Sequence, residues 1–316
     1  IVLMGKKILV INNSHYNHCT ATLMEGLIEN KDEYGLELFA TTPYNYAAVK
    51  NKWDYVVYSK EVVSKLSEIC DVVVFGNDVF SPTIISDEVK KEKGVYCDSN
   101  DYGDYLEKPS NYKFYIKREL AKNQTHLENV YPFWFAAENR YYYRGRDFEK
   151  LWDDKTIPLS CMMGIDEMKP WRLKISDALK YSFGTKEGWV LDPVYGGVDD
   201  SALDTGGRHW SNFFNTLADS KISVDSYGAG LANNTGRFFE SIACGCCLFY
   251  QPITTYTPNP FTADENIVLY NSTAQLVEKI NDTVGDDNKM KDIAYAGFEH
   301  VLNHHTTKHR GVEFLE

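Results

Sequence analysis

The feature that most constrains this fold is an alternation in the first half of the chain. Short β-branched and apolar runs, each of strand length, are separated by stretches of helical character. The runs fall at residues 8–11, 36–40, 55–58, 72–75 and 95–97, and a helix is predicted over residues 20–29. Continuous apolar strands interleaved with helices belong to a parallel sheet covered on both faces. In open sheets of this kind ligands gather beyond the carboxyl ends of the strands. That rule singles out the loops Asn12-Asn13-Ser14-His15, Gly76-Asn77-Asp78 and Asp98-Ser99-Asn100-Asp101. His15, Asp78, Asp98 and Asp101 are therefore candidates to take a proton from a bound hydroxyl, although each carboxylate equally suits a turn or a helix cap.

A second register of the same type begins at residues 157–162, after an aromatic and basic stretch that includes PFWFAAENRYYYRGR. At 316 residues the chain exceeds what one hydrophobic core usually holds. Two domains are predicted, residues 1–155 and 156–316. The seven cysteines follow no regular spacing, so reduced, buried thiols are expected instead of disulfides, and the CGCC cluster of Cys244, Cys246 and Cys247 lacks further ligands for zinc. No run reaches the roughly 20 apolar residues of a membrane span, and residues 1–3 are read as preceding a start at Met4. A cytoplasmic protein is the expectation. The formal net charge of −12 disfavours a nucleic-acid partner unless a local basic groove offsets it.

The densest chemistry lies between Asp219 and Pro252. Residues 221–224 form a β-branched run, followed by Tyr227-Gly228-Ala229-Gly230, where small residues let a ligand approach the backbone. Asn233, Asn234 and Thr235 supply cap chemistry for a helix predicted over residues 236–243, whose positive end faces the loop. Gly228, Gly230, Asn234 and Thr235 thus line an anion site. Arg237 is placed to pair with a diphosphate, and Glu240, one turn on, to accept from two vicinal ribose hydroxyls. The same spacing also suits an i, i+3 ion pair on a capped helix.

This segment resembles the nucleotide-sugar loop of group-1 glycosyltransferases, and most of all the CgeB-type, spore-maturation-like branch. Its pattern of small-rich loop, Thr-x-Arg-x-x-Glu and Ala-x-Gly is met by Thr235, Arg237, Glu240, Ala243 and Gly245. The likeness continues through Phe261-Thr262-Ala263-Asp264-Glu265-Asn266 and His305-Thr306-x-x-x-Arg310, and covers most of residues 157–312. It implies the GT-B arrangement, an α/β fold of two Rossmann-like domains facing each other across a cleft. The nucleoside-diphosphate sugar, most commonly UDP-linked, would bind the second domain, and a glycan or small-molecule hydroxyl the first. By the same resemblance Arg172 would add a cation on the donor phosphates, where plain surface charge is the competing reading. Lys117-Arg118-Glu119 in YKFYIKREL resembles the FKRE element of this branch, and such residues either line the cleft or, on a helix, form a solvated face. The last helix, residues 311–315, would pack back on the first domain.

Many retaining relatives carry a second glutamate eight residues before the ribose-binding one. That position is Ala232, which leaves open the stereochemical outcome and also a catalytically silent sugar-nucleotide binder. No bound metal is expected, because Asp199-Asp200 lacks a strand-end Asp-x-Asp setting. Two further alternatives share the architecture: a sugar-nucleotide epimerase, and a phage-type enzyme that glycosylates hydroxymethylated DNA bases, for which the aromatic and basic residues 134–146 offer stacking and phosphate contacts.

Overall fold

A computed structural model describes residues 3–11, 18–41, 59–76, 85–100, 103–121, 127–138, 147–165, 169–191, 194–195, 208–228 and 234–316. The chain divides into two compact units. The first comprises Ile1–Ala136, Thr255–Thr257 and Thr307–Glu316, and the second Ala137–Thr254 and Pro258–Thr306.

In the first unit six strands, β1 (Lys7–Ile11), β2 (Glu37–Ala40), β3 (Val72–Phe75), β4 (Gly94–Asp98), β5 (Phe114–Lys117) and β6 (Val130–Pro132), form one sheet in the order β2-β1-β3-β4-β5-β6. Every pairing is parallel, with Ile8 opposite both Leu38 and Val72. The strands are apolar throughout because both faces are covered. Ile8, Val10, Val72 and Val74 enter one core with Leu23 and Leu27, whereas Leu9, Ile11, Val73 and Phe75 enter another with Val63 and Tyr115. That split is the two-residue period of a strand buried on both sides. The helices are α1 (His18–Glu29), α2 (Lys31–Tyr34), α3 (Lys60–Ile69) and α4 (Asp87–Lys93). Ser59 and Ser86 cap α3 and α4, accepting from the N–H groups of Val62 and Val89. The C-terminal helix (Thr307–Leu315) also belongs here and buries Leu315 in the core that α1 faces. Residues 55–58, predicted as a strand, lie outside the described residues.

One of the two readings of Lys117-Arg118-Glu119 is corrected. The segment carrying Lys117-Arg118-Glu119 is no helix face: residues 114–117 are β5, and all three charged residues are buried. Lys and Glu are favourable helix formers, but parallel pairing with β4 and β6 overrides that local preference.

The second unit holds a four-stranded parallel sheet, β12 (Val268–Leu269), β11 (Cys247–Tyr250), β10 (Ser220–Val224) and β7 (Ile157–Ser160), and a separate parallel pair, β8 (Gly164–Ile165) and β9 (Val194–Tyr195). Its helices are α5 (Phe148–Asp153), α6 (Pro170–Phe183), α7 (Arg208–Asp219), α8 (Gly236–Ala243), α9 (Thr273–Val284) and α10 (Asp287–His304). Leu159, Ile222, Phe249, Leu276 and Phe298 centre the core. Residues 137–155, assigned to the first domain from sequence, group with this unit, since Phe148 and Trp152 stack at 6.0 Å and Phe148 meets Phe298 at 5.5 Å. Lys155 is buried and donates from one ammonium to the carbonyls of Ala218 and Cys244, both 2.8 Å away, at the carboxyl ends of α7 and α8. A cation there complements both helix dipoles. The seven cysteines are all free and buried, and Cys246 donates to the Leu217 carbonyl. No helix among the described residues is long and apolar enough to cross a membrane.

Candidate functional site

The helix α8 is fixed at both ends by its own sequence. Thr235 caps the amino end, its Oγ1 accepting from Phe238 N–H at 3.3 Å. At the other end Gly245, at φ 70°, lets the Gly245 N–H reach the Ile242 carbonyl and the Cys246 N–H reach the Ser241 carbonyl. This pair of bonds is a Schellman closure, which needs a left-handed residue at that point. The Ala-x-Gly of the sequence is therefore a helix stop, and it holds Arg237 and Glu240 at a set distance from β10. Glu240 is buried, with Oε1 lying back toward the helix start, 3.7 Å from where a Cβ on Gly236 would be. A carboxylate there is favoured by the helix dipole.

Arg237 turns toward Asp225, its Nε 3.5 Å from Oδ2, with the arginine side chain 27% exposed and the aspartate 4%. The same oxygen accepts from Thr235 Oγ1 at 3.2 Å. Tyr270 donates to the Asp225 carbonyl at 2.9 Å, and the Tyr250 hydroxyl accepts from Thr235 N–H at 3.3 Å. Asp225, which follows β10 directly, was missed in the sequence reading; the strand-end rule that selected Asp98 would have found it. Together with Met163, Phe213, Leu217 and Ser241, Asp225 and Arg237 line a small recess. Cys161 lies close by: burial first, then the charge of Asp225, pushes its thiol up to about 12.

Arg172, predicted to meet donor phosphates, is only 2% exposed and spends its guanidinium on the chain itself. It donates to the carbonyls of Gly164 (3.1 Å), Ser226 (2.9 Å) and Tyr227 (2.8 Å) and to Ser226 Oγ (3.2 Å). It thereby ties β8 and α6 to the loop after β10, where Trp171 and Tyr227 pack with ring centroids 5.1 Å apart. Gly228 continues that loop and has open space where a Cβ would be. Asn234 is 3% exposed. Gly230 lies outside the described residues.

In the first unit, Asp98 is fully buried and its oxygens are committed. Oδ1 accepts from Asn100 N–H at 2.8 Å, and Oδ2 from the Tyr115 hydroxyl (2.6 Å), Lys117 Nζ (3.2 Å) and Leu106 N–H (3.2 Å). Both oxygens of Asp98, expected from the sequence to take a proton, thus already accept hydrogen bonds from within the unit. His15, Asp78 and Asp101 lie outside the described residues. Arg118 stacks over Phe135 at 5.0 Å and lies 3.4 Å from Glu119. Among the described residues no group of three or more His, Cys, Asp or Glu is arranged to hold a metal ion.

Sequence and fold comparisons bear on what this site serves. A family model described as glycosyl transferase-like matches residues 189–316, a span that contains β10, α8 and most of the residues lining the recess. No curated protein matches the chain in sequence. Solved structures match over nearly its whole length. A glycosyltransferase from Rickettsia africae is 11% identical, with 98% of this chain and 97% of that one covered at a TM-score of 0.63. HepE from Anabaena, in complex with UDP and glucose, is 10% identical, with 98% of each chain covered at 0.61. An alpha-glucosyltransferase in complex with UDP-glucose and DNA containing an abasic site is 10% identical, with 95% of each covered at 0.59. At such identities the likeness is one of fold. The chain has the parallel α/β architecture of GT-B glycosyltransferases, with Rossmann-like units.

Proposed function

We propose that this protein is a glycosyltransferase that binds a nucleoside-diphosphate sugar, most commonly UDP-linked, on its second unit and transfers the sugar to a hydroxyl. The observation that carries this reading is the placement of Arg237 and Glu240 one turn apart at the start of α8, within the segment matched as glycosyl transferase-like. Departure of the nucleotide builds negative charge on its outer phosphate. Arg237 and the amino end of α8, flanked by Asn234 and Thr235, meet that charge in a partly dry setting, which lowers the barrier without reorganisation and needs no divalent ion. Glu240 accepts from the ribose hydroxyls. Arg172 acts one step back, holding the Ser226 and Tyr227 carbonyls so that Gly228 presents its backbone to the donor. With Asp98 committed to the fold, His15, Asp78 and Asp101 remain the candidates for deprotonating the acceptor.

A glycan or small-molecule acceptor fits the net charge of −12 better than a polynucleotide. The DNA-bound alpha-glucosyltransferase among the fold relatives supports a second reading, in which hydroxymethylated bases are the acceptor. Retention of hydroxymethylated duplex that weakens with salt would favour it, and no binding at low salt would end it.

The donor assignment is tested by thermal shift across UDP, GDP and their sugars, since a ligand that binds only the folded state raises its apparent stability. Arg237→Ala and Glu240→Ala should each lower kcat/KM by roughly tenfold or more, about 1.4 kcal/mol, in folded protein. Undiminished donor use by both variants would remove the site from this loop. A new sugar nucleotide formed from donor alone would mark an epimerase, and tight binding without turnover a silent binder.

A further inference from the structure

Asp225 carries more than its contact with Arg237 accounts for. It is 3% exposed and lines the recess, yet Oδ1 has no hydrogen-bond partner, while Oδ2 serves Thr235 and faces Arg237. The side-chain amide of Asn234, next to Thr235 in the chain, is equally buried, and neither its oxygen nor its nitrogen has a partner. Buried polar atoms are nearly always satisfied, because leaving one unmet costs on the order of 1–3 kcal/mol. Of the two, Asp225 lines the recess, and its open acceptor points to a ligand group that completes it.

Their chemistry says which part of a ligand. A carboxylate oxygen only accepts, so its partner must donate, whereas an amide both donates and accepts. Phosphate oxygens do not donate, and the aspartate charge repels them; the diphosphate belongs on the exposed side of Arg237. Two parts of a sugar nucleotide adjoin the diphosphate, the ribose and the transferred sugar. With the ribose assigned to Glu240, a hydroxyl of the transferred sugar is left for the recess, which has room for about one water-sized group. We propose that Asp225 reads a hydroxyl of the transferred sugar and so selects neutral, hydroxyl-bearing sugars over uronates, an inference that rests on the donor assignment above. A uronate would bring a second carboxylate against Oδ1.

The test is calorimetric binding to wild type and Asp225→Asn. The probes are UDP, UDP-glucose, UDP-galactose, UDP-N-acetylglucosamine and UDP-glucuronate, with GDP, GDP-mannose and GDP-glucose as the parallel series. Asparagine keeps the volume and an acceptor for Thr235 Oγ1 but removes the charge. Wild type should bind at least one neutral sugar nucleotide more tightly than the bare nucleotide. The variant should lose roughly tenfold of that advantage, with bare-nucleotide affinity changed less than about threefold and discrimination against UDP-glucuronate reduced. An unchanged advantage in the variant, or no advantage in wild type, overturns the inference and leaves the donor assignment standing. An equal loss for bare nucleotide and sugar nucleotide also overturns it, by making Asp225 a support for Arg237 alone. If wild type binds no nucleotide of either series, the donor assignment itself has failed.

Discussion

Asp98 stands at the carboxyl end of β4, where a base would act, yet Tyr115, Lys117 and two backbone N–H groups already occupy it. Burial, and then the charge of Asp98, raises the Tyr115 phenol well above its usual value, so it serves here as a donor. Removing one side of a buried pair strands the other. Asp98→Asn should therefore cost about 3 kcal/mol in urea unfolding, and Lys117→Met in the same background should recover part of it. Full stability with lost activity would return Asp98 to catalysis. The sequence shows a carboxylate after a strand but not its partners, which sit 17 and 19 residues on and share a face of β5 only once the sheet pairs. Arg172 is alike, with all its acceptors but the Gly164 carbonyl 54 and 55 residues away. The placement of Arg237 and Glu240 was legible because cap, helix and stop lie within one continuous segment.

Among elements, the closest packing joins α1 to the C-terminal helix. A Cβ on Gly311 would overlap the Gly26 carbonyl, and one on Gly26 would meet the Thr307 carbonyl. Asn30 Nδ2 donates to the Gly26 and Lys308 carbonyls at 2.7 and 2.9 Å, and Thr307 Oγ1 to Glu29 at 2.6 Å. Gly311→Ala should cost roughly 1–3 kcal/mol by overpacking and open residues 307–315 to hydrogen exchange. Gly285→Ala, where the nearest atom would be 3.8 Å away, should be close to neutral. Protection left intact in Gly311→Ala would show the contact to be slack. At the carboxyl end of α10, His300 and His305 both present Nε2 to the Asn259 carbonyl, at 2.8 and 3.0 Å, with Phe261 against both rings and His304 and Glu265 nearby. Burial is the main cause holding His300 below its usual 6.5, so the fold favours the neutral ring. Its contribution is present above the unfolded value and lost as pH falls through the depressed folded one. The melting temperature should drop on acidification below about pH 6.5, and His300→Gln should flatten that slope. An identical slope in the variant would place the acid sensitivity elsewhere. The α/β alternation was readable because each buried strand is a local apolar run; β5 was not, because its pairing is remote and its last residues favour helix.

For the whole molecule, charge and connectivity matter more than any contact. A net charge of −12 makes any polyanion binding a matter of local patches. The fold class was legible from period and length, but the division of the chain was not, since neither the grouping of residues 137–155 with the second unit nor the inclusion of Thr255–Thr257 in the first leaves a mark in composition. The return of the C-terminal helix has a consequence for how the protein is made. The face of α1 around Gly26 emerges from the ribosome early, while its cover, Thr307–Leu315, is translated about 170 residues after the first unit's main segment ends at Ala136. At roughly 5–20 residues per second that interval is on the order of ten to thirty seconds. For that time the nascent chain carries the apolar face of α1 without the helix that covers it, and translation of Thr307–Leu315 is what closes the first unit's core.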